Sequence, residues 1–178
     1  MKRSEIKDLI KSAIEPRNMC RIFFKYDTVY SYYFPLKVSE KLFLGAVEDD
    51  FILDGFSIRR FTDVEKIESK DDKCVDIIRE EGILENLDVP DIDLTDWYSV
   101  FLSLEKLDKN IIIERESLDE DEYEFAIGHI EKVLKSKVLF RHFDADAIWQ
   151  DELWEIPYSG ITSITFLSRY VEIFSKYL

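Results

Sequence analysis

Lys41 and Lys137 stand 96 residues apart, and the same spacing separates Asp50 from Asp146, Ile52 from Ile148, Val75 from Val171 and Ile77 from Ile173. Leu42, Phe43 and Leu44 correspond to Val138, Leu139 and Phe140 at that offset. After a slip of one residue, Val64 and Ile67 match Ile161 and Ile164. A repeat of this length restricts the chain to folds in which both halves are built from one order of elements, and missing it would misassign the whole architecture.

The order can be read in each half. In the first, Ser4 is a cap for a helix over 5–14, with Ile6, Leu9, Ile10, Ala13 and Ile14 on one face and Pro16 as its stop. Strands follow at 20–26, 30–38, 41–47, 51–59 and 65–69, with an acidic turn at 48–50 and a single helical turn placing Val64. Cys74, Ile77 and Ile78 recur at helical spacing, and Gly82 is a C-terminal stop. In the second half Thr95 caps a helix over 96–108, and strands are predicted at 110–115, 123–133, 137–143, 147–156 and 163–167. Tyr170, Ile173, Phe174 and Tyr177 form the stripe of a closing helix. Leu42, Leu44, Ile52, Ile67, Val138, Phe140, Ile148 and Ile164 are the expected strand core. From Glu80 to Asp96 there are seven acidic residues, no basic one, and Pro90, the make-up of a linker. The expected domains are 1–84 and 95–178, joined by an acidic linker at 85–94.

The fold class is therefore mainly β with flanking α-helices. A helix followed by five short, bent strands, with a one-turn corner before the last, resembles the Sm-like or SH3-like small barrel. The segments that carry the likeness are Asp54-Gly-Phe-Ser-Ile-Arg-Arg-Phe-Thr-Asp-Val-Glu-Lys-Ile67 and Ile156-Pro-Tyr-Ser-Gly-Ile-Thr-Ser-Ile-Thr-Phe166. The whole is similar to uncharacterised bacterial proteins with such barrels in tandem, which implies two five-stranded barrels. The nucleotide-binding signature of the Sm family does not carry over. That signature has an Asp-x-x-Asn-like turn and an Arg-Gly pair at the last corner. Here Arg59 precedes Arg60, and the second copy has Ile156-Pro157.

Charge narrows the partners. The net charge is −14, and residues 91–178, with 9 basic and 19 acidic side chains, hold −10 of it. Such a field repels phosphate backbones and attracts basic partners, so nucleic acid is not expected. No apolar run approaches the roughly 20 residues of a membrane span. The N-terminus lacks the apolar core of a signal segment, so a cytoplasmic location is expected. Cys20 and Cys74 cannot build a disulfide framework, and both are expected as buried free thiols.

Catalytic patterns are wanting. There is no Gly-x-Ser-x-Gly elbow, no cysteine-protease signature and no glycine-rich phosphate loop among five glycines. His142, Asp144 and Asp146 would share one face of a strand, with His129 and Glu131 near in sequence. Strand alternation explains that pattern without a metal, and no metal or cofactor is expected. Tyr30, Tyr32, Tyr33, Trp149, Trp154 and Tyr158 are candidate interface aromatics. Acidic groups crowd 119–124 and 144–155, and the second stretch also holds Trp149 and Trp154. The expected function is a non-enzymatic binding or scaffold protein, with Asp119, Glu122, Trp149 and Trp154 as the partner-binding residues and self-association left open. The alternatives are an acidic inhibitor or immunity-type protein that covers a basic partner, and a metal-dependent hydrolase.

Overall fold

Ile6, Ile10 and Ala13 form the buried side of helix α1 (Arg3–Ile14) in a computed structural model that describes residues 1–85 and 87–178. The cap is Lys2 rather than Ser4. The Glu5 carboxylate accepts from the Lys2 backbone N–H at 3.0 Å and so closes the first turn. Leu9, assigned to the buried face, is exposed.

Met1–Asp91 and Ile92–Leu178 are two separate compact units. The first contains α1, then β1 (Met19–Phe24), β2 (Ser31–Val38), β3 (Leu42–Asp49) and β4 (Ile52–Arg60). A one-turn 3-10 corner (Phe61–Asp63), β5 (Val64–Lys70) and helix α2 (Lys73–Glu80) complete it. All its strand pairings are antiparallel, in the order β5-β1-β2-β3-β4. The core joins α1 to Ile22, Phe24, Tyr33, Phe43, Phe61 and Ile67. Phe24 and Phe43 stack at 6.5 Å, and Tyr33 meets Phe24 edge-on at 5.9 Å. The Arg59 guanidinium lies over the Phe24 ring at 3.8 Å. At the corner, Asp63 is 0% exposed and takes Lys25 Nζ at 2.9 Å and Arg60 Nε at 2.5 Å.

The second unit follows the same order: α3 (Trp97–Leu107), β6 (Ile111–Arg115), β7 (Glu124–Val133), β8 (Lys137–His142) and β9 (Trp154–Pro157). A 3-10 corner (Tyr158–Gly160), β10 (Ser163–Phe166) and α4 (Arg169–Phe174) follow. The strands pair as β10-β6-β7-β8-β9, again with the fifth beside the first. Even a bulge recurs in the second strand, between Pro35 and Lys37 and between Ile130 and Lys132. Asp96, not Thr95, caps α3, accepting from the Ser99 N–H at 2.8 Å.

The register revises the repeat. Val38 pairs with Phe43, and Val133 with Val138, so the β3/β8 offset is 95 rather than 96. The corners stand 97 apart, as the Val64/Ile161 and Ile67/Ile164 matches require, while Val75 and Val171, both fully buried in terminal helices, keep 96. Asp50/Asp146 and Ile52/Ile148 are not equivalent. Asp50 and Phe51 adopt positive φ in a two-residue hairpin turn, one residue later than the expected acidic turn. In the second unit, residues 143–153 replace that hairpin tip. Ile148 lies there, 58% exposed, and Ile52 is exposed at the tip of β4, so neither belongs to the core. The strand expected over 147–156 shrinks to the four residues of β9.

Three further expectations are corrected. Cys20 is buried, with its thiol pushed up to about 11 by that burial, but Cys74 is exposed, because α2 turns Val75 and Ile78 inward. In α4 Val171 is the buried residue and half-buried Phe174 stacks on Phe143 at 5.8 Å, but Tyr170, Ile173 and Tyr177 are exposed, so the expected stripe meets the core only through Phe174. The acidic stretch 85–94 is not wholly solvated. Ile92 and Leu94 are buried, and the Asp93 N–H donates to Ser103 Oγ at 3.0 Å. Asn86, within that stretch, lies outside the described residues. No helix among the described residues is long and apolar enough to cross a membrane.

Candidate functional site

Register identifies where the second unit departs from the first. Phe24, Arg59 and Asp63 correspond to Arg115, Ile156 and Gly160. The ring, guanidinium and buried carboxylate that fill the first unit's open end are thus replaced by an exposed arginine, a smaller aliphatic chain and a glycine. A cleft of about 260 Å³ opens there, lined by Ile113, Ala126, Trp154, Ile156 and Ile161, with Arg115 against Gly160. Beside it, a shallower and more open depression of about 620 Å³ is lined by Tyr123, Phe125, Leu153 and Trp154, with Glu124, Glu152 and Glu155 among them.

Four large apolar side chains are therefore exposed on one surface: Tyr123 45%, Phe125 38%, Leu153 40% and Trp154 40%. Such a contiguous exposed apolar patch marks a contact surface more often than chance exposure does. Among the described residues Arg115 is the one cation lining either depression, and it lies 3.4 Å from Glu124. Glu155 is held by Lys137 at 2.5 Å. The local field is acidic around an apolar floor.

Of the expected partner residues, Trp154 lies at the centre. Asp119 and Glu122 lie on the preceding turn, outside both depressions. Asp119 caps that turn by accepting from the Asp121 N–H at 3.1 Å, and Glu122 accepts from Ser117 Oγ at 3.3 Å. Trp149 is half-buried. It meets Phe143 edge-on at 5.3 Å beneath Arg141 and supports the cluster of Ile112, Ile127 and Val171. The two acidic segments do converge, but through Glu124 with Glu152 and Glu155. Tyr123, Phe125 and Leu153 escape sequence reading because nothing in their spacing separates an exposed apolar residue from a core one.

The remaining aromatics are accounted for by packing. Tyr33 is core, and Tyr30 and Tyr32 lie under the Arg21 guanidinium at 4.3 and 5.6 Å. Tyr158 stacks on Phe101 at 5.4 Å, donates to Leu134 O at 2.6 Å, and has its hydroxyl pushed up to about 12 by burial.

The histidine and carboxylate set does not converge. β8 ends at His142, so Asp144 and Asp146 leave the strand. Asp144 instead ties the following loop, accepting from Asp146 N, Ile148 N and Gln150 Nε2 at 3.0, 3.0 and 2.9 Å. His129 approaches Asp108 at 3.6 Å. Among the described residues no group of three or more His, Cys, Asp or Glu side chains could hold a metal ion.

His142 packs against the Trp154 ring with centroids 4.0 Å apart, and burial lowers its pKa below the ordinary 6.5 against the opposing pull of Glu152 and Asp144. The folded chain thus favours neutral imidazole. The unfolded chain takes up the proton first, so this contribution to stability is complete above pH 6.5 and is lost as pH falls through the folded pKa. Acid titration of tryptophan emission is expected to show a step below pH 6.5 that His142→Gln removes. An unchanged step in that variant would assign the titration elsewhere.

Comparison of the chain with protein-family models, curated proteins and solved structures finds no match.

Proposed function

We propose that the protein is a non-enzymatic binding module that docks a basic protein partner on the acidic-rimmed Trp154 surface of its second unit. We further infer that its two units are Sm-like small barrels in tandem. Support for the barrel reading is the order fifth-first-second-third-fourth in both units, with an opening helix and a 3-10 corner before the last strand. The single observation behind the binding reading is the exposed cluster of Tyr123, Phe125, Leu153 and Trp154 among Glu124, Glu152 and Glu155. Desolvated aromatic anchors within a charged rim are how interfaces concentrate affinity and steer encounter. Ile92–Leu178, with 9 basic and 18 acidic side chains, carries −9, which favours a cationic partner.

Immobilised protein should retain a basic partner at low salt and release it at high salt, as the Debye length falls from ~10 Å at 0.1 M to ~3 Å at 1 M. Trp154→Ala should weaken that binding at least about tenfold. Glu124→Lys/Glu152→Lys should act mainly on the association rate. Asp119→Lys/Glu122→Lys, outside the depressions, should do less. Retention that ignores salt and both groups of substitutions sinks the reading.

A further inference from the structure

The 260 Å³ cleft lies against β9, and β9 pairs with β8 alone among the strands of its unit. Its free edge faces the depression. The pairs are Lys137 with Pro157, Val138 with Ile156, Leu139 with Glu155 and Phe140 with Trp154. The Tyr158 N–H donates to Ser136 O at 3.1 Å, one step beyond Pro157. Antiparallel pairs alternate between hydrogen-bonded and non-bonded, so Ile156 and Trp154 spend their backbone groups on β8. The N–H and C=O of Glu155 then point to the open edge. Pro157, which has no N–H, sits at the next outward position and ends the run.

We propose that the partner contributes a short, extended, basic segment that adds to β9 as a further strand. The proposal rests on the reading that the second unit binds a basic partner, and it specifies how. Alternate side chains of an added strand point to opposite faces. One set would enter the cleft floored by Ile113, Ala126 and Ile161, which has room for a single aliphatic or aromatic side chain. The other set would meet Glu124, Glu152 and Glu155. Native sheets blunt their edges with lysines, prolines or covering elements. Beyond Pro157, β9 carries no such guard: Trp154 and Glu155 are exposed, and the one lysine that reaches Glu155, Lys137, comes from β8 on the inner side. A second copy of this chain is disfavoured by like charge, since each carries −14.

The test uses the full chain and a short fluorescent peptide in which lysine alternates with valine and leucine. Two further versions carry N-methyl groups on alternate amides, one on each parity, and a fourth peptide of the same composition is arranged to form an amphipathic helix. Anisotropy at low salt should show binding of the parent peptide. Methylation of one parity should weaken it about tenfold or more, and methylation of the other should change little, because only every second amide faces β9. Glu155→Pro should abolish the parity effect while circular dichroism stays unchanged. The methylated peptides leave the protein intact, so the test survives if that variant misfolds. Equal binding of all four peptides overturns strand addition and leaves an acidic docking surface for basic partners standing. Binding of none overturns both. Concentration-dependent self-association that Glu155→Pro removes also overturns the proposal, since the edge would then take another copy of the chain.

Discussion

Asp63→Ala is expected to remove about 3 kcal/mol of folding stability. The carboxylate is 0% exposed at the end of the 3-10 corner, with Arg60 Nε at 2.5 Å and Lys25 Nζ at 2.9 Å. Arg60 also reaches Tyr26 at 3.4 Å, so the corner is tied to the end of β1. Removing one partner of a buried ion pair leaves the other charge poorly solvated, which typically costs ~3–5 kcal/mol. Arg60 and Lys25 are partly exposed and can recover some hydration, which places the expected loss at the lower end. Asp63→Asn keeps the volume and removes the charge, and its NH2 would face one of the two cations, since Lys25 and Arg60 approach different carboxylate oxygens. It should therefore lose nearly as much, whereas a packing effect alone would spare it. Urea unfolding of both variants gives the answer. A loss below ~1 kcal/mol in each would mean that the corner is held by Phe61 and the β-ladder instead.

The corner also shows what a sequence does and does not reveal. Val64/Ile161 and Ile67/Ile164 are apolar in both copies because each closing strand must bury the same face, and pattern alone locates them. The order of elements was legible for the same reason. Ile52 and Ile148 misled because an apolar residue on a predicted strand carries no mark of whether that strand reaches the core. Their shared identity hid a different hairpin: a two-residue turn in one unit, an eleven-residue loop at 143–153 in the other. The loop shortens the fourth strand to Trp154–Pro157 and, together with the replacement of Phe24, Arg59 and Asp63 by Arg115, Ile156 and Gly160, leaves the second unit open where the first is filled. Trp154 and the acidic stretches were readable from composition. Tyr123, Phe125 and Leu153 were not, since their exposure is set by β9 starting late rather than by any local pattern. Nor could sequence place Trp149 beneath Arg141 in the supporting cluster, because that depends on where the long loop returns to the strand at Phe143.

Gly128→Ala should unfold the second unit or cost it about 4 kcal/mol. Gly128 pairs with His142 across β7 and β8, and a Cβ built on it would lie 2.0 Å from Arg141 O and 2.7 Å from the His142 Cα. Both atoms are backbone, so no rotamer change relieves the clash and the two strands would have to separate. The residue also has φ +159, a conformation that side chains rarely adopt. The register explains why a glycine is tolerated in the middle of a ten-residue strand, where it would otherwise weaken the sheet. In the first unit Tyr33 occupies this position, and Gly45, opposite Pro35, is the small residue on the next strand. In the second, Phe140 stands where Gly45 stands, and Gly128 where Tyr33 does. The large side chain has changed strands, so the core keeps an aromatic and the glycine makes room for the close approach. Gly45→Ala makes the contrast. Its Cβ would meet a side-chain atom, Tyr33 Cδ1, at 3.0 Å and the Phe34 carbonyl at 3.3 Å, and a small shift of the tyrosine ring relieves the closer contact. Its loss should be well below that of Gly128→Ala. Denaturant midpoints test the difference, read for Gly128→Ala by tryptophan emission, since Trp97, Trp149 and Trp154 all lie in the second unit, and for Gly45→Ala, in the first unit, by circular dichroism. A Gly128→Ala protein within about 1 kcal/mol of wild type would show that β7 and β8 do not approach this closely, and with them would fall the placement of His142 against Trp154.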